Sequence, residues 1–135
     1  QVGKASDGAE FTPLIAAAKL EAFEEVKYLI EQGADPTVAD NDGRIALHLA
    51  VDNRTTTDVV QILLKHMSRS SINKQDLQGA TPLDHLLEVS TEDTYPRALR
   101  EAMITLLRSN GAMANFYDLN GDELQIPVLN QLLKF

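Results

Sequence analysis

Cysteine is missing from this chain and basic side chains are scarce in it. Without cysteine there is no disulfide framework, no thiolate zinc site and no cysteine nucleophile. The 3 histidines, His48, His66 and His85, are scattered and leave little material for a metal cluster. Lysine and arginine total 12 against 20 aspartates and glutamates, a formal net charge of -8. That balance argues against nucleic acid as a partner, since phosphate-backbone binding needs clustered Lys and Arg. No apolar run approaches the roughly 18 residues of a membrane span. Glycine-rich phosphate loops and the G-x-S-x-G elbow are also absent, and no histidine stands at a motif spacing from a serine or an acid pair. The expectation is therefore a chain with no catalytic residues, no metal and no cofactor.

What is present is a short, repeated helical pattern. The 135 residues make one domain of ordinary size, able to bury roughly two-thirds of its unfolded surface without a staple. Apolar residues recur at i, i+3, i+4 in blocks of two to three turns: Leu14, Ala17, Ala18; Val26, Leu29, Ile30; Leu47, Ala50, Val51; Val59, Val60, Leu63, Leu64. The series continues through Leu83, Leu86, Leu87; Met103, Leu106, Leu107; and Val128, Leu129, Leu132, Leu133. Strand-like alternation is nearly absent, so the chain reads as all-α. Helices this short are marginal alone, and their stability must come from neighbours.

The blocks have a period. Thr12-Pro13-Leu14 returns 33 residues later as Ile45-Ala46-Leu47, and 36 after that as Thr81-Pro82-Leu83. A second register agrees: Asp40, Asp76 and Asp118 each stand three residues before Gly43, Gly79 and Gly121. With these residues in view, the chain resembles the ankyrin repeat, a turn and two antiparallel helices with a T-P-L-H-x-A signature. The best copy is Gly43-Arg44-Ile45-Ala46-Leu47-His48-Leu49-Ala50, while Gly79-Ala80-Thr81-Pro82-Leu83 supplies the Thr-Pro. The resemblance implies a solenoid of stacked helix-turn-helix units with projecting turns or short hairpins. Repeats are expected at about 10–42, 43–78 and 79–120 of a single domain, 1–135, with a partial capping repeat at 121–135.

Local chemistry supports that shape. Thr12 and Thr81 suit helix N-caps with proline next, and Gly33 and Gly111 suit left-handed helix ends. Leu14, Leu47 and Leu83 should point into the stack. His48 should bond turn backbone, as it does in the family, whereas Ile15 and Asp84 occupy its position in the other repeats. Repeat three carries an insertion that includes Ser90 to Pro96, expected to be mainly a solvated connection away from the turns. Arg69-Ser70-Ser71 reads as a solvated loop, and Asn53-Arg54-Thr55 as a glycosylation sequon that matters only in a secreted chain.

The family resemblance implies a protein partner held on a concave face of turn tips and first helices. By position that face contains Arg44, Leu49, Leu77, Gln78, His85, Tyr117 and Leu119. Leucine and tyrosine are unusual at turn tips, and Arg44 is expected to be exposed. The acidic balance favours a basic or mixed-charge partner segment. A monomeric, cytoplasmic interaction module without chemistry is the leading expectation; the alternative is a targeting or regulatory domain cut from a larger enzyme or effector. Gln1, which is no initiator, and the apolar terminal Phe135 favour that alternative.

Overall fold

A computed structural model describes residues 12–117, and among these the regular elements are all helices. They are α1 Pro13–Lys19, α2 Phe23–Glu31, α3 Ala46–Ala50, α4 Asp58–Lys65, α5 Arg69–Ile72, α6 Pro82–Val89 and α7 Arg97–Ser109. The expected capping segment at 121–135 and Leu119 lie outside the described residues.

Each first helix starts as its sequence dictates. Thr12 Oγ1 accepts from the Ile15 amide at 3.1 Å, and Thr81 Oγ1 from the Asp84 amide at 3.2 Å, with proline at the first turn of both helices. Helix α3 has Ile45 in place of the threonine. There the His48 ring substitutes, its Nδ1 accepting from the Ile45 amide at 3.1 Å. Second helices close on Gly33 and Gly111, whose φ angles of 92° and 93° are left-handed.

Stacking follows from the apolar stripes. Helix α1 packs on α3 and α3 on α6, forming one row, while α2 packs on α4 behind it. Leu14, Leu47 and Leu83 are buried at 2%, 0% and 1% exposure, as the spacing predicts. They share one continuous core with Val26, Leu63, Met103 and Leu107, so each repeat is stabilised by the next.

The turns between repeats are built by aspartate. Asp40 Oδ1 accepts from the Asp42 and Arg44 amides at 2.9 and 3.0 Å; Asp76 Oδ1 accepts from the Gln78 and Ala80 amides, both at 2.9 Å. Successive tips are joined by the Leu77 amide donating to the Asp42 carbonyl at 2.9 Å. Gly43, at φ 76°, allows that approach: a Cβ there would stand 2.9 Å from the Leu77 nitrogen. The Asp-x-x-Gly spacing is thus turn chemistry.

One expectation about loops needs correction. Arg69–Ile72 is a helical turn, α5, capped by Ser68 through the Ser71 amide at 3.2 Å. The insertion is mainly solvated as expected, with Thr91, Glu92, Asp93, Thr94 and Pro96 exposed, but its tyrosine turns inward. Tyr95 is buried at 5% exposure and its hydroxyl donates to the Val51 carbonyl at 2.8 Å. Burial pushes its phenol up to about 12, so it remains a donor at neutral pH. Arg54 completes a clasp over this ring, its guanidinium 5.6 Å from the centroid, pairing with Asp52 at 2.9 Å and Glu92 at 2.7 Å and reaching the Thr94 hydroxyl. The insertion therefore ties repeat three back to repeat two. Asn53, the sequon residue, is buried at 3%, and its Oδ1 accepts from the Thr55 and Thr56 amides and the Thr55 hydroxyl. A glycan has no access to it in this fold.

Candidate interaction surface

Helix α6 and the tips around Gly43 and Gly79 form the walls of a cleft of about 520 Å³. Arg44, Gln78, His85 and Tyr117, four of the residues expected on a binding face, line it together with Asp76, Ala80, Asp84, Glu88 and Phe116. Leu77 stands beside it at the tip, 74% exposed. The expected exposure of Arg44 is corrected. Arg44 is half-buried, because Asp40 bonds its backbone and the side chain lies against the cleft wall. Leu49 and Tyr117 are partly buried and pack on the core, which offsets the cost of an apolar side chain near a tip.

The electrostatics are acidic: three carboxylates face one guanidinium. Burial lowers the pKa of His85, with Arg44 opposing protonation further, and nearby Asp52, Glu88 and Asp76 only partly compensate. The ring is therefore neutral at physiological pH. His48, 0% exposed behind the cleft, bridges repeats through Nε2 to the Ala80 carbonyl at 2.9 Å. Since Nδ1 accepts from Ile45, the proton resides on Nε2. Its pKa is likewise lowered, chiefly by burial.

These two rings set a pH dependence. Each has a folded-state pKa below its ordinary 6.5, so the unfolded chain takes up protons first as pH falls. Their contribution to stability is complete above that value and is lost on acidification. Thermal melts from about pH 7.5 to about pH 5.5 should show Tm falling, and the drop should shrink in His48→Gln. An equal drop in both proteins would refute the assignment.

Sequence spacing did not single out Asp84. Its carboxylate accepts from the Thr81 amide at 2.9 Å, the Asn115 amide at 2.8 Å and the Phe116 amide at 2.8 Å, at 2% exposure. It occupies the signature-histidine position and performs the same inter-repeat bridging with reversed polarity, accepting where His48 donates. The signals in the sequence were the substitution itself and its place three residues after Thr81, the spacing of a capping box.

Among the described residues no group of His, Asp and Glu is arranged to hold a metal ion, and no helix is long and apolar enough to cross a membrane. Stacked helix pairs, aspartate-built tips and a lateral cleft define a helical repeat solenoid. A family model described as ankyrin repeats (3 copies) matches residues 2–76. A probable 26S proteasome regulatory subunit, p28, of Saccharomyces cerevisiae is 31% identical over 83% of this chain and 45% of that protein. The protein lin-12 of Caenorhabditis elegans is 37% identical over 58% of this chain and 6% of its own length. A palmitoyltransferase of Drosophila melanogaster is 38% identical over 53% of this chain, but over only 11% of that enzyme. The chain belongs to the ankyrin-repeat family, whose members are generally non-catalytic and bind other proteins. It spans less than half the length of each of these relatives.

Proposed function

We propose that this chain is a non-catalytic protein-interaction module that holds a partner on the concave face of its tips and first helices. The observation that carries the reading is the convergence of Arg44, Gln78, His85 and Tyr117 on one cleft, with Leu77 exposed at its edge. Leu77 offers an apolar anchor, and the surplus of carboxylates favours a basic or mixed-charge segment by steering and by complementarity. Leu49 and Leu119 belong to the same proposed face by repeat position. A monomeric, cytoplasmic setting is part of the proposal.

The test is a photo-crosslinking amino acid placed either at Leu77 or at Tyr28, which is 61% exposed on α2. A protein adduct from lysate is expected at position 77 and not at 28. The reverse pattern would move the binding face to the second helices and sink this reading. The relatives' lengths favour a second version, in which the same surface serves as a targeting or regulatory region of a larger protein. The length of the encoding gene separates the two.

A further inference from the structure

Two charges in the cleft remain after the fold's own hydrogen bonds are assigned. Asp76 and Asp84 are occupied by backbone amides. Glu88, one turn beyond His85 on α6, is exposed, and its carboxylate forms no hydrogen bond or ion pair among the described residues. Arg44 is the opposite case: its Nε is buried without an acceptor, and its guanidinium pairs with none of the three carboxylates lining the cleft. Nε is closed to solvent, so an incoming acceptor meets the Nη groups, which also form no hydrogen bond.

The nature of that acceptor follows from the surrounding charge. A further anion would enter a cleft where carboxylates already outnumber guanidinium three to one. A neutral carbonyl meets no such repulsion. The free Glu88 carboxylate calls for a cation, and its exposure lets a long side chain reach it from solvent. We propose that the cleft takes an extended partner segment bearing one lysine or arginine: the Arg44 Nη groups donate to a main-chain carbonyl of the segment, and Glu88 pairs with the basic side chain. Arg44 thus holds the backbone whatever the sequence, while Glu88 selects charge. This inference rests on the concave-face reading above and names its partner chemistry.

The experiment is selection of displayed random peptides on the full chain and on the Arg44→Met, Glu88→Lys and Leu77→Ser variants, each first shown by melting to fold. Wild type should enrich a basic residue at one fixed position. Glu88→Lys should lose that preference or replace it with an acidic one. Arg44→Met, which keeps the stem but not the donor, should weaken wild-type-selected peptides about tenfold irrespective of their side chains. No positional basic preference, its survival in Glu88→Lys, an undiminished affinity in Arg44→Met, or no enrichment over an unrelated control would each overturn the inference. Peptides that bind Leu77→Ser unchanged and fail to crosslink from position 77 would indict the concave face itself. Peptides that use the face without a basic position would remove this inference alone.

Discussion

Asp84→Ala should cost this fold about 3 kcal/mol or more, because it takes the acceptor from three amides, two of them in fully buried bonds. The amides of Thr81, Asn115 and Phe116 all point at its two oxygens, at distances of 2.8 to 2.9 Å. The Thr81 hydroxyl is already engaged, accepting from the Asp84 amide at 3.2 Å and donating to the Met113 carbonyl at 2.7 Å. Urea denaturation followed by circular dichroism measures the loss; a change under about 1 kcal/mol would show that water replaces the carboxylate freely. Restoring the family's histidine should not rescue the site. An imidazole has one acceptor nitrogen when neutral, and here three amides require acceptors. Asp84→His is therefore expected to behave closer to alanine than to wild type.

Leu47→Ala is the second large effect, with an expected loss of about 2–5 kcal/mol. Leu47 is 0% exposed in α3, the helix that packs against α1, α4 and α6. Its methyl groups fill space between repeats, so the cavity left behind is walled by three helices that cannot all move in. In a short array each repeat depends on its neighbours, and the loss should appear as one shifted unfolding transition. Leu77→Ala is the control: at 74% exposure it should change stability by less than about 0.5 kcal/mol. Equal effects of the two substitutions would show that Leu47 is not between repeats.

The paired helices, the threonine-capped starts and the turns were legible because each is encoded within a few residues, whereas the single turn of α5 was too short to show a period. Thr12 and Thr81 cap amides three positions on, and Asp40 and Asp76 bind amides two and four positions on. Exposure at the tips was less legible. Leu77 projects as its turn position suggests, yet Arg44 and Tyr117 fold inward because the neighbouring repeat offers them a surface. The same holds for Tyr95: the acidic, hydroxyl-rich insertion is mainly exposed as it reads, but Tyr95 turns inward to stack with Arg54, 41 positions away.

By itself the sequence determined the all-α class, the repeat period, the helix caps and the aspartate-glycine turns, all of which depend on interactions a few residues in range. It also determined the acidic charge that opposes nucleic acid. Only the tertiary structure decided that Asp84 bridges to Asn115 and Phe116, that Arg54 and Tyr95 clasp two repeats, and that Arg44 and Glu88 face one cleft. Those outcomes depend on which side chains the stacking brings together across 30 to 45 residues, and on how much solvent each then loses. Local pattern sets the units; the desolvated contacts between units set the charge that a partner meets.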